Sequence, residues 1–142
     1  MKRFSIPAFI LLIANVAIVF VTTDIKGQSS PSAGDIIEYI RISFKTANSK
    51  DLTGYMNEMV EIQLPDQDRN NYSKTQAEYV MRDFMKKYNP IDFKYIHKVL
   101  EKDDFKFTIG EYSYTGGIMR VTMVIKPLNG KYLIDSIVIE RK

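Results

Sequence analysis

Two tight-turn signals in the last third of the chain constrain its fold more than any other feature. Gly116-Gly117 and Asn129-Gly130 each place two residues tolerant of positive φ between apolar-rich runs, as a two-residue hairpin loop demands. The runs Phe105–Thr115, Ile118–Leu128 and Lys131–Glu140 are therefore expected to form an antiparallel meander. With two-residue loops the register follows by counting. Tyr114 faces Met119, Tyr112 faces Val121, Ile125 faces Ile134 and Val121 faces Val138. That face is apolar. The other face carries Ile109 opposite Val124, with Leu133, Ile137 and Ile139 pointing the same way. A meander wetted on one side alternates apolar with polar residues, so this one needs cover on both faces.

The N-terminus is of a different kind. Lys2-Arg3 precedes an apolar run from Phe4 to Val21, interrupted by Ser5, Pro7 and Asn15. This is the pattern of a secretory signal peptide, here assigned to residues 1–27. Gly27 is the best small residue for cleavage, but Ile25 and the nearby Asp24 and Lys26 make a poor site. The run is also about the length that spans a bilayer, so a retained N-terminal anchor is the alternative, and the only membrane contact expected. Residues 28–34 read as a polar, disordered joint, leaving one domain over 35–142. With 142 residues in all, the remainder is long enough for a single two-layer core. The chain has no Cys, which excludes lipid attachment at a lipoprotein cysteine and leaves an exported fold to stand without disulfides. The formal charge of +3 falls to +1 once Lys2, Arg3, Asp24 and Lys26 are set aside. No basic cluster interleaved with aromatics occurs elsewhere, so nucleic acid is not an expected partner.

Within the domain, Ser32 with Asp35 forms a capping box that opens a helix, its buried face Ile36, Ile37, Ile40, Phe44 and Ala47. Ser49 caps a short second helix to about Asn57, burying Leu52, Tyr55 and Met56. Val60, Ile62 and Leu64 alternate with Glu61 and Gln63 as a strand that ends at Pro65. Asp66–Tyr72 reads as a polar loop. Ser73 with Gln76 is a second capping box, opening a helix with the stripe Ala77, Val80, Met81, Phe84 and Tyr88, which Asn89-Pro90 stops. Asp92–Leu100 is a strand with Phe93, Tyr95, His97 and Val99 on one side, and Glu101–Asp104 turns it into the meander. The fold class is α+β: a cone of curved antiparallel sheet packed on two to three helices from the N-terminal half.

This order resembles a known family. So do the helix start Ser73-Lys-Thr-Gln-Ala-Glu78, its end at Phe84 and Asn89-Pro90, Ile109-Gly110 in the meander and the closing Gly130-Lys-Tyr-Leu-Ile134. Together they look like a small exported domain of unknown function common in Bacteroidetes, whose fold is similar to nuclear transport factor 2, the cystatin-like cone. The resemblance covers about Asp35 to Glu140. It implies a cone that in related folds serves isomerases, dehydratases, cyclases, secretion-system parts and dimerisation modules, and does not choose among them.

No catalytic motif is visible. His97 is the only histidine; on the cone side it has the chemistry of a general acid or base, but no sequence partner. One His and no Cys do not make a zinc site. Asp66-Gln-Asp68-Arg-Asn70-Asn71 opens like a calcium loop, yet Ala77 stands at the twelfth position, where a bidentate Glu is needed. Glu111 and Asp135 fall on the face opposite Tyr112 and Tyr114, so the Tyr–carboxylate arrangement of a ketosteroid-isomerase-like site is not recoverable; Glu111 reads as a cross-strand partner of Arg120. No metal or cofactor is expected. Tyr95, His97, Tyr112, Tyr114, Met123 and Ser136, with Tyr132, are the candidates to line a small apolar-ligand pocket in the cone. Ile109, Val124, Leu133, Ile137 and Ile139 are the candidates for a dimer face. A β-bulge near Asp135-Ser136 would instead turn Ile137 and Ile139 into the core beside Ile134. The expectation for function is an exported binding or assembly module acting as a homodimer. The alternatives are a carrier using the cone cavity and an enzyme of isomerase or dehydratase type.

Overall fold

Both capping boxes form, and each sets a helix on the concave side of the sheet. The computed structural model describes residues 32–102 and 105–142, with side chains left aside over 98–102. The signal peptide assigned to residues 1–27 lies outside these residues. Helix α1 (Ala33–Lys45) begins on Ser32, whose side chain accepts from the Asp35 amide while the Asp35 carboxylate accepts from the Ser32 amide. It takes in two residues of the expected joint. Helix α2 (Ser49–Gly54) is capped by Asn48, one residue earlier than expected, and ends before Met56, which belongs to β1 (Met56–Gln63). The short strand β2 (Asn70–Ser73) lies in the expected loop. Its pairing with β1 runs from Met59↔Ser73 to Ile62↔Asn70. Ser73 then caps α3 (Lys74–Lys87) with Gln76. Strands β3 (Pro90–Lys102), β4 (Phe105–Tyr114), β5 (Gly117–Leu128) and β6 (Lys131–Arg141) complete the chain.

The strands make one curved six-stranded sheet in the order β2-β1-β6-β5-β4-β3. Every pair is antiparallel except β1–β6, which is parallel, so the sheet is mixed rather than wholly antiparallel. The fold is α+β, as the element order implied.

The departures from counting that matter for the faces fall in the β4–β5 loop, in β6 and in β3. The β4–β5 loop is Thr115-Gly116, so Tyr112 faces Met119 and Ile109 faces Thr122. A shift of two residues keeps every side chain on its expected face. The β5–β6 loop is the expected Asn129-Gly130, with φ of 50° and 75°, the left-handed pair that a type I′ turn requires. Beyond Ile125↔Ile134 the pairing slips: Val124 faces Ser136 and Met123 faces Ile137. Asp135 is the extra residue of a bulge, and from there β6 presents the opposite faces. Ile137 and Ile139 are consequently buried in the core with Ile134, which removes them from any outer dimer face. The same inversion carries Ser136 out of the cone. The β3–β4 pairing shifts three times, and at the middle shift Tyr95 faces Gly110 but His97 faces Ile109. His97 therefore shares the outer face with Ile109 and is exposed; it does not point into the cone with Phe93 and Tyr95.

The core lies between the concave sheet face and the helices. Ile36, Ile40 and Phe44 of α1, Leu52 of α2 and Ala77, Met81, Phe84 and Met85 of α3 close over Met119, Val121, Met123 and Ile125 of β5 and over Ile134, Ile137 and Ile139 of β6. No helix among the described residues is long and apolar enough to cross a membrane.

Candidate functional site

The interior of the cone is occupied by its own side chains. Phe44 stacks on Phe93 with centroids 4.7 Å apart and meets Tyr112 edge-on at 6.1 Å. Tyr112 also packs on Phe84 at 5.3 Å, and Phe84 on Tyr88 at 5.2 Å. Of the candidate pocket residues, Tyr112 and Met123 are fully buried in this packing. The tyrosine hydroxyls are spent on holding helices to the sheet. Tyr112 donates to the carbonyl of Tyr88 at the C-terminus of α3. Tyr95 donates to the Ile37 carbonyl of α1 at 2.9 Å. Burial raises both phenols well above their ordinary range, so neither ionises near neutral pH. Tyr114 packs edge-on against Tyr88 at 5.2 Å, at the end of the cone marked by α3's last turn. Tyr132 is half-buried at the opposite end, with the Lys106 ammonium 5.0 Å from its ring centroid. Thr108, between them on the concave face, is fully buried and its hydroxyl has no partner among the described residues.

The outer sheet face is arranged in rows, because residues paired across neighbouring strands share a face. One row runs His97–Ile109–Thr122–Val138–Gln63 and the next Phe107–Val124–Ser136–Glu61. Phe107, Ile109, Thr122, Val124, Ser136 and Val138 are all half-exposed. Charged residues bracket these rows. On one side, Glu111 stands directly opposite Arg120, but its carboxylate is bound not by that residue but by Lys142 at 2.5 Å and Lys94 at 3.5 Å. The hydrogen bond from Lys142, reinforced by the charges of both lysines, holds Glu111 below the ordinary carboxylate range. On the other side Lys126 pairs with Asp135 at 2.6 Å. Leu133, the remaining dimer-face candidate, is half-exposed and lines a small hollow of about 160 Å³ with Ile36, Tyr55 and Tyr132.

Sequence reasoning passed over a second hollow, of about 250 Å³, between α3 and the turn after β1. That turn is Leu64-Pro65-Asp66-Gln67, closed by a hydrogen bond from the Gln67 amide to the Leu64 carbonyl at 3.2 Å. Proline at the second place and φ of +62° at Asp66 are the marks of a type II turn, which prefers Gly where Asp66 stands. Asp66 is held there by Arg141 at 2.9 Å, and Arg141 also reaches the Tyr88 hydroxyl at 3.4 Å. The Asp66–Asn71 segment that opens like a calcium loop is thus divided between this turn and β2. Among the described residues no three His, Cys, Asp or Glu side chains gather in a way that could hold a metal ion.

No curated protein matches the sequence. Among solved structures, a DUF4783 family protein from Bacteroides ovatus is 28% identical with a TM-score of 0.69, covering 82% of this chain and 98% of its own. Another from Bacteroides uniformis is 26% identical with a TM-score of 0.69, covering 74% and 95%. A nuclear transport factor 2-like protein of unknown function from Cytophaga hutchinsonii shares the fold at 16% identity, with a TM-score of 0.55 over 79% and 91% of the two chains. The Bacteroidetes resemblance, the cone and the order of its elements thereby meet in one assignment: with residues 37–140 matching the family model, the chain belongs to the domain of unknown function family DUF4783.

Proposed function

We propose that this chain is an exported assembly module that pairs with a second copy of itself through the outer face of its sheet. One observation carries the reading: the cone is filled by Phe44, Phe93, Tyr112, Met81, Met119 and Met123, while the two rows on the convex side remain open. A filled cone speaks against a carrier or an isomerase working from the interior, since both need a concave cavity with convergent polar groups. The convex rows have what a self-complementary interface requires. Phe107, Ile109, Val124 and Val138 supply a patch on the order of a few hundred Å², the size that marks an interaction site. The bracketing carboxylates are matched within the protomer, Glu111 by Lys142 and Lys94 and Asp135 by Lys126, while Arg120 opposite Glu111 is exposed and forms no ion pair among the described residues. A second copy laid on the face therefore meets apolar rows without stranding either carboxylate, provided Arg120 stays at the wet rim. The dimer face so defined keeps Ile109 and Val124 and adds Phe107 and Val138. Export rests on the Lys2-Arg3 start and the apolar run that follows.

Val124→Lys tests the dimer. Val124 is half-exposed and its side chain leaves the core, so the variant should keep the native circular dichroism and melt near wild type. A two-fold contact brings each lysine against the other copy's apolar rows, and sedimentation should show a monomer. Wild-type protein that is already monomeric at high concentration rejects the reading. Intact mass of protein recovered from the envelope fraction tests export: a chain lacking residues through about Gly27 is expected, and a full-length membrane-bound chain contradicts cleavage.

A further inference from the structure

The hollow beside α3 has features that neither the cone nor the convex face requires. Its walls include three aromatic residues, Tyr72 on β2, Phe84 on α3 and Tyr88 at that helix's C-cap, beside Leu64, Pro65 and Val80. Its rim carries Asp83 and Lys87, one helical turn apart on the same face of α3, a spacing of about 5–6 Å between Cβ atoms. Neither forms an ion pair among the described residues; Lys87 rests over the Tyr88 ring with its ammonium 5.2 Å from the centroid. The other two charges nearby, Asp66 and Arg141, are matched to each other at 2.9 Å. That pair does more than neutralise charge. It sits on the turn that Pro65 and the Gln67–Leu64 hydrogen bond close with Asp66 at a φ of +62°, a conformation costing about 1 kcal/mol for a residue other than glycine. It also steers the Arg141 guanidinium onto the Tyr88 hydroxyl. The turn on one side of the hollow and the aromatic wall on the other are thereby tied together before any ligand arrives, which lowers the ordering cost of binding.

We propose that this hollow binds a small zwitterion with an aromatic body, the chemistry of an aromatic α-amino acid. Asp83 takes the ammonium, Lys87 takes the carboxylate, and Tyr72, Phe84 and Tyr88 enclose the ring. The volume sets the scale. About 250 Å³ is below the range of about 300–1,000 Å³ for drug-sized ligands, and suits one ring with a few attached atoms. The charges set the class. A simple cation would satisfy Asp83 and crowd Lys87, and a simple anion would do the reverse, so only a ligand bearing both leaves neither rim charge opposed. The site lies on α3 and the β1–β2 turn, away from the convex rows, so its occupancy is read equally well in a monomer or a dimer.

The probe is L-phenylalanine, titrated into the full domain and followed by amide NMR. Saturable shifts should appear at Leu64, Asp66, Gln67, Tyr72 and 80–88 and not on the convex face. 3-Phenylpropanoate, which lacks the ammonium, and phenethylamine, which lacks the carboxylate, should each bind at least about tenfold more weakly. Asp83→Asn and Lys87→Gln are surface changes that leave the fold intact. The first should weaken L-phenylalanine and strengthen 3-phenylpropanoate, whose carboxylate no longer meets a like charge; the second should weaken L-phenylalanine and strengthen phenethylamine for the same reason. The proposal is overturned if no saturation is seen up to about 10 mM, if either analogue binds as tightly as the amino acid, or if both variants bind like wild type.

Discussion

Gly110 is the point at which the packing can be tested most sharply. It faces Tyr95 across β3–β4, and the ring of Phe93 lies directly over it. A methyl group added at Gly110 would sit 2.9 Å from Cε2 and 3.1 Å from Cε1 of that ring, with Cζ nearer still. Carbon atoms in favourable contact are about 3.5–4.0 Å apart, so the ring would have to retreat by roughly 1 Å at Cζ. It has nowhere to go. Phe93 is 1% exposed, stacked on Phe44 at 4.7 Å and held edge-on by Tyr95 at 5.2 Å. Overpacking of this kind costs about 1–3 kcal/mol. Replacing a strand glycine with alanine returns about 0.5–1 kcal/mol of backbone entropy. Gly110→Ala should therefore destabilise the domain by about 1–2 kcal/mol, a fall in Tm of about 5–10 °C. Urea unfolding of the single variant and of Gly110→Ala in a Phe93→Leu background makes the test. Leucine lacks the ring atoms that clash, so the alanine penalty should shrink by about 1 kcal/mol there. An alanine variant as stable as wild type, or one equally costly in both backgrounds, refutes the argument.

Other perturbations follow from the same structure. Ile137→Lys should unfold the domain rather than dissociate a dimer, because the bulge at Asp135 buries this side chain completely and an unpaired ammonium there costs several kcal/mol; a folded, monomeric variant by circular dichroism and sedimentation would contradict the bulge. Thr108→Val should raise stability by about 1 kcal/mol, since it removes a buried hydroxyl that has no partner among the described residues and keeps the shape; a lower Tm shows that the hydroxyl is satisfied. Glu111 is held below its ordinary pKa of 4.5 by Lys142 first and Lys94 second, and Asp92 is lowered from 3.8 chiefly by Lys45. Both bind fewer protons folded than unfolded, so their stabilisation is present above these ordinary values and is lost as the pH falls through the lower folded ones. Glu111→Gln should therefore cost stability at pH 7 and flatten the acid limb of a stability–pH curve; an unchanged acid limb argues against the Lys94–Glu111–Lys142 cluster.

What was legible in the sequence, and what was not, divides along one physical line. Helix starts are local: Ser32 with Asp35 and Ser73 with Gln76 announce themselves within four residues, and both form as read. The Asn129-Gly130 turn is local as well, and its register holds for as far as the ladder is regular. Period-two counting then fails at each bulge, because one extra residue reverses the face of everything beyond it. Nothing at Ile96 marks the bulge in β3. At Asp135 the alternative could be named but not chosen, since Ile134, Ile137 and Ile139 satisfy either account by composition. These two residues explain why His97 and Ser136 leave the cone while Ile137 and Ile139 enter it. They also sharpen what the fold leaves for function. By drawing Ile137 and Ile139 into the core, the β6 bulge fills the cone that a ligand would need, and by turning Ser136 and Val138 outward it completes the rows begun by Phe107, Ile109 and Val124. The hollow beside α3 was hidden for a different reason. Its walls come from β2, the turn at Asp66 and the last turns of α3, with Arg141 closing it from 75 residues away, and no spacing within one segment can report that meeting.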